Sequence, residues 1–150
     1  MNYSSLLSRI ENALPEANKS NTAVSARGVD WHLEHSLKII NSICSTLLHS
    51  DPKNYKPKFT IGKWYILLRG SIPRGRARSP KAFNNPEKID LELLPVLLAK
   101  AKEKLAAIEK LDPHAHFAHP MFGDLNLAQA KKFIVIHTQH HLQIVDDILK

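Results

Sequence analysis

The chain has 150 residues, 43% of them hydrophobic, a single cysteine and a net charge of +7. That length suits one domain, residues 1–150, with a core of its own. Cys44 has no partner for an intramolecular disulfide, and no run of residues approaches the roughly 18 consecutive apolar positions of a membrane span. The opening stretch MNYSSLLSRIENALPE has neither a basic leader nor a small-residue cleavage site after a long apolar run, so a cytoplasmic protein with no membrane partner is expected. The charge is uneven: Asp51 to Lys88 holds ten Lys and Arg against two acidic residues, while the remainder holds eleven basic and twelve acidic.

Tyr3 to Leu14 has the spacing of a short amphipathic helix, with Asn2 as its N-cap, Leu6, Leu7, Ile10 and Leu14 on one face, and Pro15 ending it. A polar linker, Glu16 to Thr22, precedes a second helix capped by Ser25 and running to about Leu48. Its stripe is Leu33, Leu37, Ile40, Cys44 and Leu47; at 100° per residue His32 falls at the edge of that face, and His35 points further toward the polar side. Cys44 therefore has the position of a small core residue and not of a nucleophile. Lys58 to Arg69 mixes alternating and helical features and is expected as a short helix. Gly62-Lys63 is no phosphate-binding loop, because the glycine-rich approach and the following Ser or Thr are missing.

Gly70 to Pro86 has the composition of a long irregular loop, with Arg74, Arg76, Arg78 and Lys81 crowded into it. Those four residues form a candidate anion-binding set. Nucleic acid is disfavoured as the partner, because Phe83 is the only aromatic in the loop for base stacking. A third long helix is expected over roughly Asp90 to Lys110, with Leu94, Leu97, Leu98, Ala101, Leu105 and Ile108 inward and Pro95 in its first turn or at a kink. Leu111 to Leu125 is expected as a loop carrying His114, His116 and His119.

The final helix starts at Asn126, which with Gln129 makes an approximate capping box. Leu127, Ala130, Ile134, His137, His141, Ile144 and Ile148 share its inward stripe. His137 and His141 are one turn apart, so their rings overlie one patch of the buried face. They are either core histidines or ligands of a shared divalent cation, which would hold both imidazoles neutral. His140 lies off the stripe, at the rim, and His32 is the better placed of the second helix's histidines to meet the pair. The elements together predict an all-α fold, an up-and-down four-helix bundle with a short extra helix and a long basic loop.

The stretch Val24-Ser25-Ala26-Arg27-Gly28-Val29-Asp30-Trp31-His32-Leu33 resembles the second-helix signature of the DinB-like (DinB/YfiT) superfamily, a capping Ser or Thr followed seven residues later by a His-Leu pair. His137-Thr138-Gln139-His140-His141 resembles its last-helix HxxHH motif, and His119-Pro120-Met121-Phe122-Gly123-Asp124-Leu125 looks like the HPxFGxL element of its uncharacterised, domain-of-unknown-function branch. The resemblance implies a divalent metal held by His32, His137 and His141, with His35 and His140 as alternative ligands. Zn is the first expectation for that ion; Ni, Fe and Mn suit imidazole as well. It further implies a metal-dependent hydrolase or a transferase using low-molecular-weight thiols, with a small anionic substrate or thiol as the partner. The alternative is a non-catalytic metal-binding or anionic-partner-binding helical module. Neither substrate nor oligomeric state, a dimer included, is written in these residues.

Overall fold

The computed structural model describes residues 3–74 and 89–150. Arg76, Arg78 and Lys81 of the anion-binding set, and the Asn2 cap, lie outside those residues. Five α-helices are present: α1 (Tyr3–Ala13), α2 (Val29–His49), α3 (Ile61–Arg69), α4 (Leu93–Ala107) and α5 (Leu127–Ile148). Between α4 and α5 stand two short strands, β1 (His116–His119) and β2 (Gly123–Asn126), paired antiparallel from His116 opposite Asn126 to His119 opposite Gly123.

The all-α, up-and-down four-helix bundle expected from periodicity is therefore overturned. The described residues fold as five α-helices with a two-stranded antiparallel sheet. Four-residue strands are too short for alternation to rise above the helical signal, and β1 carries a histidine on each face. What closes the hairpin is local chemistry. Three residues, Pro120 to Phe122, link His119 to Gly123, and Gly123 adopts φ 68°, the left-handed conformation such three-residue loops need.

The long helices follow their apolar stripes. α2 packs on both α4 and α5, and α1 packs on the same two helices from elsewhere. Leu33, Leu37, Ile40, Cys44 and Leu47 of α2 are buried, as are Leu94, Leu98, Ala101 and Leu105 of α4. Pro95 sits in the first turn of α4, where its missing N–H breaks no helical bond. The α5 cap is a full capping box: Asn126 accepts from the Gln129 N–H at 3.0 Å and the Gln129 side chain accepts from the Asn126 N–H at 3.3 Å.

The α2 start differs from expectation. Ser25 is not its cap; the helix begins at Val29 after Gly28, and the Ser25 hydroxyl turns back to accept the Arg27 N–H at 3.1 Å. A serine oxygen competing for a nearby backbone donor delays the helix by a turn and becomes available to a side chain on it. Burial shifts the Cys44 thiol up to about 11, so its thiolate is suppressed, in keeping with a core role.

Gly70 and Gly123 share φ 68°, but a Cβ at Gly70 meets nothing within 4 Å while one at Gly123 comes within 3.2 Å of the Lys58 side chain. Alanine at either position should cost about 1–2 kcal/mol from the left-handed backbone alone. Denaturant unfolding of both variants checks this, with Gly123→Ala expected to lose at least as much as Gly70→Ala.

Candidate metal centre

The site lies where α2 faces α5. The buried arc of α2 is wide: His32, Leu33, Glu34, His35, Ser36 and Leu37 are all buried. His35 therefore does not point to the polar side, because α5 covers more of α2 than one apolar stripe. Residues three apart on a helix differ by only about 60° in direction, so one neighbour can cover both histidines.

From α5, His137 and His141 project toward this arc. The two helices meet through paired rings: Nδ1 of His32 lies 2.9 Å from Nδ1 of His141, and Nε2 of His35 lies 3.3 Å from Nε2 of His137. His35, His137 and His141 each bring one ligand-type nitrogen within 4.8 Å of the others, so three neighbouring histidines could hold a metal ion. His32 adjoins this trio through His141, and its Nε2 is 3.0 Å from the Ser25 hydroxyl.

Burial decides the charge state. Desolvation pushes His32 down to about 4, with the neighbouring His35 adding to the effect. Desolvation first, and then the surrounding imidazoles, hold His137 and His141 far below the usual histidine range. A neutral imidazole presents one lone pair and one N–H, so the close Nδ1 atoms of His32 and His141 share a single proton. The Nδ1 of His137 is buried without a hydrogen-bond partner. An orphaned nitrogen among neutral, converging imidazoles is a donor set that fits a divalent cation better than it fits a self-sufficient hydrogen-bond network.

The remaining predicted residues fall around this core. His140 is half-buried, with its ring 5.2 Å from that of His141, and burial followed by the nearby Arg74 lowers its pKa. Arg74 is paired with Asp147 at 2.6 Å, so it is anchored to α5 close to the histidines. His49 donates Nδ1–H to the Ser45 carbonyl at 2.7 Å, on another part of α2. His114 and His116 flank Tyr55. His119 stacks on Phe122 with ring centres 4.2 Å apart, and none of these loop histidines joins the trio.

Trp31 was not singled out by pattern, yet its ring stacks on His35 at 4.7 Å and 7° and meets His32 edge-on at 5.1 Å. Its spacing from His35, one helical turn, was the available signal. Ser25 was read as a cap, and its contact with His32 depends on a turn that periodicity does not describe. No carboxylate belongs to the trio. Glu34 is instead paired with Lys38 at 3.0 Å, and Asp30 accepts the Trp31 N–H at 2.7 Å.

The comparisons with known proteins add one finding. Residues 10–147 match the family described as protein of unknown function (DUF1569), and the chain belongs to that family. No curated protein and no solved structure matches it. No helix among the described residues is long and apolar enough to cross a membrane.

His119 supplies a test of how burial governs these rings. Desolvation lowers it from 6.5 to about 4, and its Nδ1 accepts the Met121 N–H at 3.1 Å, so protonation there would set two donors face to face. With the folded pKa below the unfolded one, its share of stability is complete above about 6.5 and is lost as pH falls toward about 4. His119→Phe keeps a ring on Phe122 without a titrating group. The variant should lose less stability than the parent between pH 7.5 and 5, measured by urea unfolding at each pH.

Proposed function

We propose that this DUF1569 chain is a divalent-metal-dependent enzyme of the hydrolase or low-molecular-weight-thiol transferase type. The reading rests on one observation, the convergence of one ligand-type nitrogen each from His35, His137 and His141 within 4.8 Å. Resemblance to the DinB-like superfamily supports the same chemistry, with His32 in place of His35. The ion favoured is Zn²⁺, and Ni²⁺, Fe²⁺ or Mn²⁺ suits imidazole also. A bound ion with three imidazoles supplies an open position and lowers the pKa of water or thiol there.

The protein's own part is to fix the rings. His32 contacts both Ser25 and His141, so it orients the His141 ring and sets which of its nitrogens carries the proton. Trp31 clamps His35 by stacking and shields it from water on that side. Arg74, held by Asp147 near His140, is the described member of the basic set that would draw a small anionic substrate toward this end of α5.

The second reading is a non-catalytic metal-holding module, favoured by the lack of any carboxylate in the trio to serve as a general base. Turnover separates the two. Metal-loaded protein should act on at least one class among ester, amide and thiol-conjugation substrates, and chelation should abolish that turnover. Stoichiometric metal with no turnover in any class would leave the module.

The ligand set has its own measurement, elemental analysis of purified variants. His137→Ala and His141→Ala should each remove most of the metal, while His140→Ala and His49→Ala should leave the stoichiometry nearly unchanged. His35→Ala should strip the ion, and His32→Ala should weaken it about 10–100-fold, the usual cost of losing a positioning partner. Full loss with His32→Ala and retention with His35→Ala would return the third ligand to His32.

A further inference from the structure

Helix α3 is built with its polarity reversed. Its inward face carries Leu67 and also Lys63, which is 2% exposed and donates its ammonium to the Lys58 carbonyl. Its outward face carries Ile61, Trp64, Tyr65 and Leu68, an apolar stripe at helical spacing in which Ile61 is 81% and Leu68 76% exposed. Phe59, just before the Thr60 cap, is 79% exposed, and Met121 at the hairpin tip is exposed as well. Burying a lysine while turning large apolar side chains to water is costly twice over, and contiguous exposed apolar surface of this kind marks an interaction face.

The helix is held in that orientation. Thr60 caps it through the Lys63 N–H, Gly70 closes it in the left-handed conformation, and Gly62 lies where a Cβ would be 3.6 Å from the Phe122 ring. The segment that carries it is basic. No Asp or Glu occurs from Pro52 through Arg74, a stretch that carries Lys53, Lys56, Lys58, Lys63, Arg69 and Arg74. The nearby carboxylate of Asp124 is occupied by the Lys56 N–H at 2.9 Å. Arg69 reaches the Tyr65 hydroxyl at 2.6 Å, keeping a cation at the edge of the apolar stripe.

We propose that this face docks the protein on an anionic phospholipid surface. Exposed Ile, Leu and Phe would enter the acyl boundary, Trp64 and Tyr65 suit the interfacial depth where amphipathic rings collect, and the flanking lysines and Arg69 meet lipid phosphates. Such contact needs no membrane-spanning helix, and none is present among the described residues. A second copy of the chain is the less favoured occupant, because two-fold pairing of this face would bring the exposed Lys53, Lys56, Lys58 and Arg69 of one copy toward the same cations of the other.

The test is cosedimentation of the full-length chain with vesicles of phosphatidylglycerol mixed into phosphatidylcholine, against vesicles of phosphatidylcholine alone. The parent should partition to the anionic vesicles, less so with added salt. Ile61→Ser combined with Leu68→Ser should weaken partition by about tenfold or more, from the apolar area withdrawn. Both sites are largely exposed, so far-ultraviolet dichroism and metal content should not change. Failure of the folded parent to partition, or equal partition by the double variant, would overturn the proposal. A dimer that the same double variant turns into monomer, with no vesicle binding by the parent, would assign the face to a second copy instead.

Discussion

Desolvation of the histidines between α2 and α5 is the constraint around which the site is arranged. An imidazole sealed against another helix cannot hold a second proton cheaply, and four such rings in contact penalise charging even further. Neutrality then forces His32 and His141 to divide one proton between their two close nitrogens. That is a poor hydrogen-bond network taken alone, with the His137 Nδ1 left unpartnered, and a good donor set for a cation. The same burial that would destabilise an empty cluster is what prepares it for metal.

Neighbouring elements serve this arrangement. The wide buried arc of α2 exists because α4 and α5 both lean on it, and the arc's apolar residues position the two histidines, with Ser25 of the preceding loop holding His32. The hairpin contributes at one remove: His119 stacks on Phe122 and meets Phe133 edge-on at 4.8 Å, and Phe133 in turn touches His137 at 5.7 Å. Aromatic contacts thus carry the hairpin's position to the ligand ring. The basic segment meets the same hairpin, the Lys56 N–H donating to Asp124 at 2.9 Å, and meets α5 through Arg74, whose partner is Asp147.

Much of this was legible in the residues because α5 is long and strongly periodic. Its length, its Asn126 cap and the approach of His137 and His141 all follow from spacing. What escaped was short or non-local. The hairpin has four-residue strands whose pairing depends on one left-handed glycine, and the start of α2 depends on a serine oxygen choosing a backbone donor over the helix. His35 was an alternative ligand in the sequence, but its burial escaped for a third reason: a projection wheel locates residues against a single stripe, whereas burial depends on how many helices lean on α2 and from which directions.

The pairing of rungs shows why α2 offers two histidines to an α5 that has two. His32 meets His141 and His35 meets His137, rising along α2 and falling along α5, so the two helices run antiparallel at the site. A spacing of three on one helix is matched to a spacing of four on the other, about 4.5 Å of rise against 6 Å. The rungs are therefore skewed, and the skew brings His141 to His35 as well, with ring centres 4.7 Å apart. His32 is left at the outer end with both nitrogens already engaged, one by Ser25 and one by His141. That double engagement supports the proposed assignment, in which His32 orients His141 and the ion lies among His35, His137 and His141.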